Sequence, residues 1–205
     1  MARLILIRHG ETKWNVEKRL MGQSDSPLTP WGRRQVELVA SRVSDISFDR
    51  LYSSDLGRAA TMAGAISSVC GAPVVYRQDL RERALGVFQG LSWEEAALRF
   101  PRDSELFHSD PDFCVPEGES RRDFSLRALG FLNFVADSHD GLTVGAVTHG
   151  GFLDMIFRHV LGIDLMAPRS ARLMNASLNS LDFENGRWIL RTWGDISHLE
   201  EHEPC

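Results

Sequence analysis

Three features are scarce in this chain of 205 residues, and each scarcity excludes something. Its three cysteines, Cys70, Cys114 and Cys205, stand far apart, with no CxxC pair. An odd, scattered set suggests neither a disulfide framework nor a zinc knuckle, so reduced thiols are expected. Long apolar runs are missing too. The start of the chain offers only Leu4 to Ile7 before charges arrive, too short for the apolar core of a signal peptide, and nothing later approaches a membrane span. A cytoplasmic setting is expected. The third absence is an excess of positive charge. With 23 Lys and Arg against 28 Asp and Glu, the net charge is -5 and the pI near 5.8, which argues against a nucleic-acid or anionic-membrane partner. That exclusion concerns the average surface. A small cleft can remain positive on an acidic protein, because low-dielectric walls focus the local field.

What is present describes a globular protein. With 43% apolar and 25% charged residues, the chain can bury one good core, and one domain with an insertion is expected. Residues 3 to 8, RLILIR, form a nearly continuous apolar run suited to a strand buried on both faces. Thr29 followed by Pro30 predicts a helix start, with Val36, Val39, Ala40 and Val43 at helical spacing. A second strand is expected at Arg50 to Ser53, with Ser54 capping a helix whose stripe is Ala59, Met62, Ala63 and Ile66. Pro73 to Tyr76 suggests a third strand. Ser92 to Glu95 has the capping-box pattern, and Pro101 ends the helix it opens.

No periodicity is legible from Pro101 to Ser120, and the region of about 85–120 is the expected insertion or lid. Ser120 and Asp123 open a long helix with Phe124, Ala128, Phe131, Leu132 and Val135 on its buried stripe. Thr143 to Val147 is a further strand, followed by a helix ending at Gly162. Glu184-Asn185-Gly186-Arg187 predicts a hairpin turn between Leu178–Phe183 and Trp188–Trp193. This alternation implies a three-layer α/β/α sandwich: a mostly parallel central sheet, helices on both faces, an antiparallel hairpin at one edge, and the lid. Neither an internal repeat nor a low-complexity tract is visible.

In open α/β sheets, ligands bind beyond the carboxyl ends of the strands. Two of the seven histidines fall at such ends, each before glycine: Arg8-His9-Gly10 and Thr148-His149-Gly150. The glycines permit a tight turn and a close backbone approach to a ligand. His108, His139, His159, His198 and His202 read as surface or satisfied core residues. Arg8 adjoins His9, and Arg58 lies just inside the helix after the second strand. A guanidinium in a cleft is costly unless it meets an anion, and its planar fork suits phosphate oxygens. Arg8, His9, Arg58 and His149 therefore read as a cationic cup for a tetrahedral dianion.

RHGETKWN, GQSDSPLT, SSDLGRAATMA, LRERALGVFQGL and VTHGG, in that order over about residues 3–193, resemble the phosphoglycerate-mutase-like branch of the histidine phosphatases. The resemblance implies that His9 is the nucleophile and becomes phosphorylated. Arg8, Arg58 and His149 would clamp the phosphoryl oxygens, and Glu82 would donate the proton to the leaving group. Asn15, Gly22, Gln23 and Gly150 would shape the substrate pocket. Read from the residues alone, Glu82 could equally pair with Arg81 or Arg83. No metal and no cofactor are implied, because arginines and histidine can stabilise the equatorial oxygens. His9 must be neutral at its attacking nitrogen, which nearby cations favour, with its other nitrogen bonded to a backbone carbonyl.

Members of such a family either return the phosphoryl group to the substrate, as mutases, or pass it to water, as phosphatases. Leu85 stands where the glycolytic mutases carry tyrosine, Gly151 where they carry asparagine, and Met21 where they carry a small hydroxyl residue. Arg99 and Arg102 in the lid region read as solvated helix-end charges. These positions favour a phosphatase for a small phosphoester over a mutase. A non-catalytic phospholigand-binding module is less favoured, since all the clamp residues are kept. Phe88, Phe107, Phe113 and Trp93 pack the lid or line it for a bulky leaving group. A homodimer is left open.

Overall fold

The computed structural model describes residues 1–200; His202 and Cys205 lie outside them. The chain runs β1 (Ala2–Arg8), α1 (Lys13–Val16), α2 (Pro30–Arg42), β2 (Arg50–Ser53), α3 (Gly57–Cys70), β3 (Val74–Tyr76), α4 (Trp93–Arg99) and α5 (Pro101–Ser109). It continues through α6 (Arg121–Ser138), β4 (Thr143–Thr148), α7 (Gly150–Leu161), β5 (Leu178–Glu184), β6 (Arg187–Asp195) and α8 (Ser197–Glu200).

The strands form one mixed sheet in the order β3-β2-β4-β1-β5-β6. The first four are mutually parallel, while β5 runs antiparallel to both β1 and β6. Alternation along β1 divides the core. Ile5 and Ile7 face a cluster with Val39, Met62 and Ile66 of α2 and α3, whereas Leu4 and Leu6 face one with Phe124, Phe131 and Phe152 of α6 and α7. One strand thus supplies both sides of a three-layer α/β/α sandwich. Leu4, Leu6 and Ile7 are fully buried, each contributing roughly 1.5–3 kcal/mol by burial. The Asn185-Gly186 turn has positive φ at both residues, 50° and 76°, as a two-residue hairpin of the primed class requires.

Two expectations need correction. Ser54 does not cap α3: the helix begins at Gly57 with Leu56 at its N-cap and no side-chain cap bond. The Ser54 hydroxyl instead meets His149, 2.8 Å from its Nε2. The stretch after Pro101 is also more regular than its sequence suggests. Phe100 closes α4 and caps α5, and Pro101 occupies the first turn of α5, where its missing N–H costs nothing. Only Ser104 and Phe107 of α5 are buried, too few to show a period. Phe107 joins Phe88, Ala96 and Val115 in a separate small core, with Phe113 packed beside it. Those phenylalanines therefore hold the segment of about 85–120 together. Arg99 and Arg102 are exposed, as their positions suggested.

Candidate active site

β1 and β4 pair in register, with Arg8 opposite Thr148, so the residues that follow, His9 and His149, emerge side by side. Their ring centroids are 5.2 Å apart. β2 lies next to β4 and delivers Ser54 and then Arg58 in the first turn of α3. All three strands end beneath a cleft of about 910 Å³, within the range of small-molecule sites. Gly10 matters here for helix packing as well as for the turn. A Cβ on it would sit 2.6 Å from the Gly32 carbonyl oxygen, so its absence lets α2 approach the loop carrying His9.

His9 is only 3% exposed. Its Nδ1 lies 2.7 Å from the carbonyl oxygen of Gly10. A carbonyl only accepts, so Nδ1 carries the proton and Nε2 keeps its lone pair. Burial foremost, then the charges of Arg58 and Arg8, hold the His9 imidazolium well below the usual pKa. His149 is fully buried; burial, Arg58 and His9 lower its pKa in the same way.

The arginines are anchored at one end and unpartnered at the other. Arg58 donates from NH1 to the Ser24 carbonyl at 2.8 Å and to Asp25 at 3.1 Å, and from NH2 to the Gly22 carbonyl at 2.8 Å. Arg8 donates from NH1 to the Leu173 carbonyl. The Nε atoms of Arg8 and Arg58 and the Nδ1 of His149 are buried without hydrogen-bond partners among the described residues. Buried donors rarely stay unpaired, and the two guanidinium groups on one cleft floor suit an oxyanion. Burial brings the Arg8 guanidinium down to about 10, against the opposing pull of Glu82.

Glu82 makes no ion pair with either neighbour. Arg81 is bidentate to Asp55, at 2.6 and 2.5 Å, and Arg83 donates to the Glu119 carbonyl. The Glu82 carboxylate accepts instead from the backbone N–H groups of Gly151 at 2.8 Å and Arg83 at 2.9 Å. Gly151 leaves room for it: a Cβ there would run into Oε1.

Asn15, Gly22 and Gly150 line the cleft with Arg8, His9, Arg58 and Glu82, whereas His149 is buried beside His9 and is not part of the lining. The Asn15 oxygen is held by Thr12 and Asn175, and Gly150 lies against the Arg8 guanidinium. Gln23 is not part of the lining. It braces the site from behind, donating to the Glu82 carbonyl at 3.2 Å and accepting from Arg81. Sequence reasoning missed Ser54, Asp25 and the entire loop between α7 and β5. That loop contributes Met166 to Arg169 and Ala171 to Met174 to the lining, and it carries no periodic pattern from which a role could be read. The Asx-like pairing of Asp25 with both Arg58 and the Gly57 N–H had a signal in the GQSDSPLT run, but its partner lies distant in sequence.

The family model described as the histidine phosphatase superfamily (branch 1) matches residues 4–196. The chain belongs to that superfamily. It is 37% identical over 210 residues to a Cronobacter sakazakii protein named "Probable phosphoglycerate mutase GpmB", covering 98% of this chain and 96% of the relative. Among solved structures, Bacillus stearothermophilus YhfR superposes with a TM-score of 0.89 at 32% identity, covering 97% of this chain and all of the other. A mycobacterial glucosyl-3-phosphoglycerate phosphatase does so with a TM-score of 0.81 at 30% identity, covering 94% of this chain and 98% of the other. The histidine phosphatase fold thus spans the three-layer sandwich and its cleft, and the relatives bear names of phosphatases and of mutases alike.

Proposed function

We propose that the chain is a phosphatase for small phosphorylated metabolites, working through a phosphohistidine on His9. The observation that carries this reading is the state of the His9 ring: Nδ1 bound to the Gly10 carbonyl, with the unpartnered Nε atoms of Arg8 and Arg58 on the same cleft floor. Nε2 attacks phosphorus in line with the ester oxygen, the P–O bond breaks, and the pair of electrons leaves on that oxygen. Arg8, Arg58 and His149 hold the three equatorial oxygens as charge spreads over them. Glu82 gives its proton to the departing alkoxide, releasing the alcohol. A water molecule then attacks the phosphohistidine, returns its proton to Glu82, and frees phosphate and neutral His9.

Charge stabilisation in this scheme comes from guanidinium and imidazole groups and calls for no metal. Asn15, Gly22 and Gly150 border the phosphoryl pocket, and Gln23 acts on it through the Glu82 backbone. No helix of the described residues is long and apolar enough to cross a membrane, and the free thiols of Cys70 and Cys114 suit a reducing cytoplasm.

A mutase is the second reading, favoured by the name of the 37% identical relative. Against it stand Gly151, whose missing side chain is what seats the Glu82 carboxylate, and Leu85, which packs on the lid core and brings no hydroxyl to the cleft. The test uses p-nitrophenyl phosphate with excess EDTA, and 3-phosphoglycerate primed with 2,3-bisphosphoglycerate. Hydrolysis of the first without formation of 2-phosphoglycerate is expected. Efficient formation of 2-phosphoglycerate would replace the phosphatase reading with the mutase one.

A further inference from the structure

The stretch from Asp79 to Glu82 belongs to no strand of the sheet, so its backbone carbonyls need partners from elsewhere. Side chains supply them. Leu80 accepts from the Thr148 hydroxyl at 2.8 Å. The other three carbonyls accept from one residue of α6, Arg127. Its NH1 donates to Asp79 at 2.8 Å and to Arg81 at 2.9 Å, and its NH2 to Glu82 at 3.3 Å.

The remaining edge of the guanidinium is engaged by Glu119, whose carboxylate oxygens accept from Nε at 2.9 Å and from NH2 at 2.7 Å. An arginine carries five N–H donors, and these five bonds use them all. Lysine, with three donors and no planar fork, could not do the same. Glu119 is itself tied to the chain just after Glu82. Its N–H donates to the Ala84 carbonyl at 2.9 Å, and its own carbonyl accepts from Arg83. Arg127 is rooted beside the buried stripe of α6, its guanidinium carbon 4.9 Å from the centre of the Phe124 ring. Both Arg127 and Glu119 keep some exposure, so their ion pair alone stabilises little. What the fork provides is geometry, because it grips the backbone on both sides of the Glu82 Cα. A proton donor acts only within hydrogen-bonding reach of the leaving oxygen, and a remote change that misplaces it by about 1 Å can cost about 10²-fold.

We propose that Arg127 is a positioning residue for Glu82, holding the Asp79–Glu82 backbone so that the carboxyl group meets the leaving-group oxygen. The proposal rests on the reading of Glu82 as the proton donor. Arg127 is not in the cleft lining, so it acts through Glu82 and not on the substrate.

The test measures kcat and KM on glycerol 3-phosphate, whose alkoxide leaves with a proton, and on p-nitrophenyl phosphate, whose phenolate leaves without one. Glu82→Gln, Arg127→Met and the double variant are compared with the unaltered protein. Arg127→Met should lower kcat for glycerol 3-phosphate by about 10²-fold, with KM changed by less than about threefold. The loss on p-nitrophenyl phosphate should stay below about tenfold. In the double variant Arg127→Met should add less than about threefold to the loss from Glu82→Gln, since residues acting as a unit are not additive. Arg127→Lys keeps the charge without the fork. It should show the same selective loss at about tenfold, and it decides the matter where melting curves show Arg127→Met unfolded. Equal losses on both substrates, full additivity with Glu82→Gln, or unchanged rates in Arg127→Lys would overturn the positioning role while leaving Glu82 as donor. If Glu82→Gln itself spares glycerol 3-phosphate, Glu82 is not the donor and both readings fall.

Discussion

The floor of the cleft and its walls are built on different terms. On the floor, His9 and Arg58 are each 3% exposed, with His149 fully buried beside His9; the two histidines follow strand ends whose register is set by hydrogen bonding between β1 and β4, and Arg58 sits in the first turn of α3. The walls come from the segment of about 85–120 and from the loop between α7 and β5, where Trp93 is 39% exposed and Arg169 and Arg172 are open to solvent. A rigid floor suits a reaction needing in-line geometry, because small misplacements of the reacting groups lose large factors in rate. Walls set on a loop and on a segment with its own small core can change without disturbing that geometry, which is where selectivity between substrates is expected to reside.

Substitutions can break this contrast, and the largest effect belongs to the floor. His9→Ala should lower turnover of every phosphoester by at least about 10⁴-fold, as loss of a covalent nucleophile does. Steady-state assays with p-nitrophenyl phosphate measure it, and a variant within tenfold of the original rate would end the proposed mechanism. Gly151→Asn comes next. Its side chain must displace the Glu82 carboxylate, so hydrolysis of glycerol 3-phosphate should slow by about 10²-fold. p-Nitrophenyl phosphate should suffer much less, because nitrophenolate departs without a proton. Equal losses on both substrates would point to a general disruption of the cleft rather than to the proton donor.

A third effect is read in stability. His9 and His149 are held neutral by burial and by the arginines, so their folded pKa values lie below the unfolded value of about 6.5. Below that value the unfolded chain binds protons that the folded chain refuses, and stability is lost as pH falls. The slope approaches about 1.4 kcal/mol per pH unit for each histidine. His108, His139 and His198 are lowered too, so the informative quantity is a difference. Urea melts from about pH 7.5 to about pH 5 should show a shallower slope for His149→Gln, by close to one proton's worth. An unchanged slope would mean that His149 is charged in the folded protein. The smallest effect concerns the walls: Met166→Ala should change kcat/KM by only a few-fold, unequally across a phosphoester panel, with stability within about 1 kcal/mol.

The same contrast explains what the sequence revealed. Leu4 to Ile7 is a run apolar at every position, and it ends at His9, so burial on both faces and a ligand site at the strand's end could be read together. The stripe of α6 was equally plain, because Phe124, Ala128, Phe131, Leu132 and Val135 all bury. Helix α5 was not, since two buried residues make no period. Ser54 looked like a helix cap because serine after a strand commonly is one. Its use by His149 depends on the lateral order of β2 and β4, which local sequence does not encode. Gln23 sits within a motif run and still points away from the cleft lining, toward the backbone of Glu82. The loop from Ile163 to Ser177 was silent for a plainer reason. Its contribution to the lining depends on tertiary placement, and its backbone is fixed by contacts such as the one from the Ala176 N–H to the His9 carbonyl, at 3.1 Å.

The central claim is that His9 takes the phosphoryl group before water does. The stereochemical course at phosphorus tests it most directly, using a phosphorothioate ester made chiral at phosphorus by two isotopes of oxygen and hydrolysed in water carrying the third, so that the thiophosphate released is itself chiral. Two successive in-line displacements, first by His9 and then by water, predict net retention of configuration. Net inversion would mean a single direct attack by water and would contradict the account.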